Sequence, residues 1–160
     1  MMEYKVVECK EIKIVGVSAP ASFITNKDVT PQLAKQFMPR LNAVSAKKDN
    51  YRISLQNYNG FNLKTFNPNT IFEKWIGVEV SDFVDVPKEM QSLTISSGNY
   101  LVIDFKGSIP EFMQFWQHIH LKWLPKSEFE LDSRPHFERL PQSYSPMNSV
   151  NEEEIWIPVK

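Results

Sequence analysis

The 160-residue sequence has one cysteine, Cys9, so no disulfide can form within the chain and packing must hold the fold. It has five glycines, and none builds a phosphate-cradling loop or a Gly-x-Ser-x-Gly nucleophile elbow. Of its three histidines, His118 and His120 stand two apart on a predicted helix and so point about 200° apart. With only His136 to add and no carboxylate cluster at ligand spacing, no metal site and no cofactor is expected. There is no basic excess: 18 Lys and Arg stand against 19 Asp and Glu, and the longest basic run is Lys47-Lys48. A chain that held nucleic acid by itself would need such a patch, so direct nucleic-acid binding is not expected. No apolar run approaches the roughly 18 residues of a membrane span. The start, MMEYKVVECKEIKIVGV, lacks the charged-then-apolar pattern of a secretory signal, and a cytoplasmic location is expected.

Aromatic residues, in contrast, are plentiful: eleven Phe, five Tyr and four Trp. Most should fill the core, which leaves the question of which ones face a site.

Along the chain, Tyr4 to Val17 alternates and is rich in Val and Ile, as a long strand or hairpin-like strand would be, with Pro20 ending it. Thr30-Pro31 then reads as a helix start, and Leu33, Phe37, Leu41 and Val44 give one apolar face that Pro39 should kink or cut short. Tyr51 to Tyr58 and Phe72 to Val80 read as strands, with a turn at Asn59-Gly60 and a ragged arm over Phe61 to Thr70 between them. Ser81 to Gln91 reads as a linker. The order then repeats. Leu93 to Phe105 is strand-like with a turn at Ser97-Gly98-Asn99. Ser108-Ile109-Pro110-Glu111 has the pattern of a capping box ahead of a helix whose stripe is Phe112, Trp116, Ile119 and Trp123, stopping at Pro125. Pro135 to Leu140 and Glu154 to Lys160 close the unit as strands, and the acidic run Glu152-Glu153-Glu154 reads as a solvated strand entrance.

Strand, helix, strand, strand thus occurs twice with a period of about 80 residues, which predicts an α+β fold: one domain over 1–160, with pseudo-repeats about 1–82 and 92–160. Trp75-Ile76-Gly77-Val78 echoes Trp156-Ile157-Pro158-Val159, and Ser54 to Tyr58 echoes His136 to Leu140. Alternation places Ile76, Val78 and Val80, with Ile53, Leu55 and Phe137, toward the helices. The opposite face would then carry Trp75, Trp156, Tyr58, Gln56 and Glu138. Two such faces brought together would form an aromatic groove with one carboxylate, suited to a small apolar cation. Helical spacing accounts for Phe112, Trp116 and Trp123 as core.

The segments Gly77-Val78-Glu79-Val80, Gly98 to Val102, Gly107, the helix ending Trp123-Leu124-Pro125, Arg134-Pro135-His136-Phe137-Glu138 and Ile155 to Val159 together resemble the GyrI-like small-molecule-binding domains. These include effector-binding domains of multidrug-responsive transcription regulators of the AraC and MerR types, together with stand-alone and integron-cassette relatives. The resemblance implies a pseudo-symmetric curved antiparallel sheet with two flanking helices and a central ligand groove, and it matches Glu138 to the family's groove glutamate. Family regulators carry a helix-turn-helix domain before this one, whereas this chain starts at the first strand, so the stand-alone branch is the expected likeness.

The expected function is an effector-binding module for small organic, cationic and aromatic compounds, with Glu138 as counter-charge and Trp75, Trp156, Tyr58 and Gln56 lining the groove. An alternative is a small-molecule hydrolase of the same family that uses Glu138 as general base, with Tyr58 the nearest acid. No third group completes a catalytic set, so binding ranks first and no residue is assigned to catalysis. A protein-interaction role, through the loops Ala21 to Val29 and Ser143 to Asn151, ranks third.

Overall fold

The structure is a computed structural model that describes residues 2–58 and 67–160. The expected turn at Asn59-Gly60, and the Phe61 to Phe66 part of the arm, lie outside the described residues.

Eight strands form one antiparallel sheet: β1 (Lys5–Cys9), β2 (Ile12–Ala21), β3 (Arg52–Asn57), β4 (Phe72–Val80), β5 (Gln91–Ile95), β6 (Gly98–Gly107), β7 (His136–Leu140) and β8 (Asn151–Val159). Their order across the sheet is β1-β6-β8-β7-β3-β4-β2-β5. Read outward from the β7–β3 seam, each side meets a second strand, a third strand, then a first strand. The outermost strands are exchanged. β1 precedes β2 in the chain but pairs with β6, while β5 precedes β6 but pairs with β2. The expected hairpin-like first strand is therefore two strands on opposite sides of the seam, and so are the two arms around Gly98.

Helix α1 (Asn26–Phe37) crosses β2 and β4, burying Leu33 and Phe37 against Val15, Val17, Ile76 and Val78. It opens ahead of Pro31 because Ser22 and Thr25 form a reciprocal turn: Ser22 N–H donates to Thr25 Oγ1 at 2.8 Å and Thr25 N–H to Ser22 Oγ at 3.1 Å. Pro39 acts as expected, and the α-helix gives way to a 3-10 turn over Met38–Ala43. Helix α2 (Ile109–His118) starts in the expected capping box, with Ser108 Oγ accepting from Glu111 N–H at 3.2 Å and Glu111 Oε1 from Ser108 N–H at 2.9 Å. It continues through a π-helical turn (Ile119–Trp123) and a last α turn (Leu124–Lys126), burying Ile119 and Leu124 on Leu101, Ile103, Ile155 and Ile157.

Both helices lie on one face of the sheet. Among the described residues the other face has no helix, yet Ile14, Leu55 and Tyr100 are fully buried there in a cluster to which all eight strands contribute. Eight strands about 4.8 Å apart would span well over 30 Å if flat, so the sheet covers this face by curling on itself. Gly16 and Gly77 face each other in the β2–β4 ladder. A Cβ on Gly16 would lie 2.2 Å from the Ile76 carbonyl oxygen, and one on Gly77 2.4 Å from that of Val15. The strands approach too closely here for any side chain, which admits glycine alone. β2 also runs on through Pro20 to Ala21, because beyond Gly16 its outer side is free of β5 and the missing N–H leaves no ladder bond unmade.

Candidate functional site

Between the stretches that α1 and α2 cover lie the sheet's central strands, β3 and β7, and their helix-side residues make the floor of a candidate groove. Pairing fixes its floor. Ser54 is opposite Glu138 and Gln56 opposite His136 on the β3–β7 seam, with Lys74 beside Gln56 on β4. All five residues are buried. Gln56 Nε2 donates to Glu138 Oε1 at 3.2 Å, and Lys74 Nζ donates to Ser54 Oγ at 2.6 Å. Burial raises the Glu138 carboxyl, while the Lys74 charge and the Gln56 hydrogen bond pull it back. Burial likewise brings the Lys74 ammonium down to about 8, against the charges of Glu138 and Glu153.

One end of the groove is closed by rings. Phe23, ahead of α1, stacks on Tyr58 at 5.5 Å between centroids and meets Trp116 of α2 at 5.4 Å. Phe72 and His136 each lie 5.0 Å from Tyr58. His120 packs 4.2 Å from Trp116 and 5.6 Å from His136. Desolvation holds both imidazoles neutral, His120 down to about 3 and His136 well below its usual value. These rings therefore contribute apolar faces and no positive charge. Burial, and then the Glu138 charge, raise the Tyr58 phenol well above its ordinary value, so it is a neutral hydroxyl.

The structure separates the expected lining residues. Gln56, Tyr58 and Glu138 share the groove face. Trp75 and Trp156 do not: Trp75 is opposite Leu55 and Trp156 opposite Phe137, so both lie on the helix-free face. Trp75 is part of that face's core, and Trp156 stacks on Phe137 at 5.2 Å. Each indole N–H donates to a carboxylate two residues back, Trp75 to Glu73 and Trp156 to Glu154. The face assignment from alternation was inverted for β3 and β7, because the polar residues Ser54, Gln56 and Glu138 point toward the helices. Apolar content identifies a core face only when the other face meets water, and here the sheet buries both.

Two further residues depart from the sequence reading. Trp116 sits over the groove against Phe23 and His120 rather than in the α2 core. Glu153 is half-buried rather than solvated, because β8 begins early at Asn151, whose side chain ties down the preceding loop through Ser145. Among the described residues no group of three or more His, Cys, Asp or Glu could hold a metal, and no helix is long and apolar enough to cross a membrane.

The GyrI-like small molecule binding domain model spans residues 2–160. The chain belongs to the GyrI-like small-molecule-binding family. Solved structures carry the same fold. A putative bacterial transcription regulation protein from Staphylococcus aureus is 18% identical, with 100% of this chain and 99% of that one covered and a TM-score of 0.70. SAV2435, solved bound to tetraphenylphosphonium, is 19% identical over 99% and 94% of the two chains, with a TM-score of 0.74. A hydrolase from Listeria innocua is 13% identical over 99% and 92%, with a TM-score of 0.55. No curated protein matches the chain. At these identities the likeness shows the GyrI-like fold, and the chemistry of this member rests on its own residues.

Proposed function

We propose that the groove binds a lipophilic aromatic cation and that the chain is a ligand-sensing or sequestering module rather than an enzyme. The observation that carries this reading is Glu138: a carboxyl buried on the seam floor, hydrogen-bonded by Gln56, beneath a wall of rings that are neutral throughout. Aromatic faces attract a cation by about 2 kcal/mol when desolvated, and a buried carboxylate supplies the matching charge. The ligand set is Glu138, Gln56 and Tyr58 together with Phe23, Phe72 and Trp116. Tetraphenylphosphonium, the ligand of the SAV2435 structure, has the expected chemistry. Multidrug-type sensing in the cytoplasm, in the service of transcription regulation, fits this reading.

A hydrolase is the second reading, favoured by one observation. Burial raises the Glu138 carboxyl, as a general base requires, and Tyr58 is close enough to feel its charge.

Quenching of tryptophan fluorescence by tetraphenylphosphonium and by neutral triphenylphosphine oxide, on wild type and Glu138→Gln, tests the first reading. Removing one member of a buried charge pair costs about 3–5 kcal/mol, so the cation should lose about 100-fold or more in affinity, while the neutral compound changes little. Equal losses for both compounds would overturn the charge-recognition reading.

A further inference from the structure

We propose that Glu153 is a second ligand-facing carboxyl of the groove, and that a monocation entering beside Glu138 and Glu153 expels one proton from the site. This rests on the cation-binding reading above.

Register places the two acids together. Glu138 is opposite Ile155 and Arg139 opposite Glu154 in the β7–β8 ladder. Glu153, two residues from Ile155, therefore points to the same face as Glu138 and stands diagonal to it, within reach of long side chains. A depression of about 420 Å³ beside Glu153, whose lining includes Phe105, Lys106, Pro141 and Glu152, opens that carboxyl to the outside. The chain's own pseudo-symmetry marks the difference between the ends: Glu153 stands where the ring-closed end has Phe72.

A charge count gives the consequence. Lys74 from β4 is the ammonium that both acids feel. From the other elements around them, His136 and His120 are neutral imidazoles, and Tyr58 and Tyr144 are phenols raised by burial. Arg52 is turned aside, donating to the Pro141 and Tyr144 carbonyl oxygens at 3.1 and 2.8 Å. Arg139 lies on the opposite face, engaged by Asp49 at 2.7 Å and Glu154 at 3.1 Å. Lys106 of β6 is exposed and paired with Glu152 at 3.6 Å, so one buried ammonium faces the two carboxyls. A poorly solvated site favours neutrality, so at rest it holds one carboxylate and one carboxylic acid. An added monocation balances a second carboxylate, and the acid's proton leaves to solvent: protonated site plus cation gives the cation complex plus one proton, with charge conserved. The Glu153 carboxyl, pushed up to about 8 by burial and by Glu138, is the acid that gives it up.

The test is calorimetric titration with tetraphenylphosphonium, a cation with no proton of its own, in phosphate and in Tris buffer at pH 7. Wild type should release close to one proton per cation bound, and its affinity should rise by up to about tenfold per pH unit between about pH 6 and 8. Glu153→Gln, which has no second carboxylate to balance the cation, should bind it more weakly, with no proton release and a flat pH profile. Saturable binding without proton release, or an unchanged pH slope in Glu153→Gln, would overturn the inference and leave the cation-binding reading standing. Carbon-13 titration of the Glu153 carboxyl in the free protein reads the acid directly. A midpoint near 8 supports the assignment even if this cation fails to bind, and a midpoint in the ordinary carboxylate range overturns it.

Discussion

Gln56 and Glu138 occupy equivalent positions in the two halves of the molecule, and their side chains meet at 3.2 Å across the seam that relates them. The pairing is unequal in chemistry. One half supplies the amide and, from β4, Lys74; the other supplies the carboxylate and, from β8, Glu153. The pseudo-symmetric scaffold therefore holds a site with a distinct acidic side.

The amide should hold Glu138 in its charged form. Replacing Gln56 with Leu removes a hydrogen bond to a buried carboxylate, worth about 1.5–3 kcal/mol. Affinity for tetraphenylphosphonium is expected to fall about tenfold or more at pH 7 and to recover partly at higher pH, where the carboxyl ionises anyway. Titration by tryptophan fluorescence at pH 7 and 8.5 measures this, and a pH-independent loss would contradict it.

Lys74 and Glu138 should be coupled in stability. Lys74→Met leaves a buried carboxyl without its ammonium and should cost about 3 kcal/mol. The further change Glu138→Gln in that background should cost much less than it does alone, because the charge has no partner left to lose. Urea denaturation of the four proteins gives the coupling, expected at a kcal/mol or more. Strict additivity would show that the two groups do not sense each other.

His120 sets an acid limit on the fold. Burial brings its imidazole down to about 3, below its ordinary value. Between about pH 6.5 and 3 the unfolded chain therefore binds the proton that the folded chain refuses, and stability falls as pH drops. His120→Phe, which keeps a ring against Trp116, should flatten the fall in melting temperature between pH 7 and 4. The opposite slope is expected from Glu153: its raised carboxyl favours the protonated fold, so its contribution is full below about pH 4.5 and is lost as pH rises through about 8.

Gly77 should tolerate no side chain. An added methyl would lie 2.4 Å from the Val15 carbonyl oxygen and 3.0 Å from the Gly16 Cα, both backbone atoms. Gly77→Ala is expected to destabilise by more than 2 kcal/mol, roughly, as overpacking against rigid neighbours does. A thermal melt within a degree or two of wild type would refute the close approach.

Much of the frame could be read from the residues. The Ser108 and Glu111 capping box, the Pro39 break, the β4 span and the α+β architecture all follow from local chemistry, which is encoded within a few neighbouring positions. The face assignment did not follow, because a sheet buried on both sides erases the contrast on which alternation depends, and Trp75 and Trp156 were placed with Glu138 on that account. Trp116 was absorbed by the helical stripe, since its contact with Phe23 joins segments far apart in sequence. Glu153 looked like part of a solvated acidic run until the start of β8 at Asn151 turned it inward. Glu138, Gln56 and Tyr58 do share one face, as expected, although it is the face the helices flank.

The exchanged outer strands bear on how the chain reaches this state. Lys5 pairs with Val102 and Ile12 with Ile95, so each edge closes only when residues more than eighty positions apart meet. Such remote pairing gives a high contact order and slows folding toward the millisecond-to-second range. It also interlocks the halves: neither can complete its own edge, and unfolding should be a single cooperative event for the whole sheet.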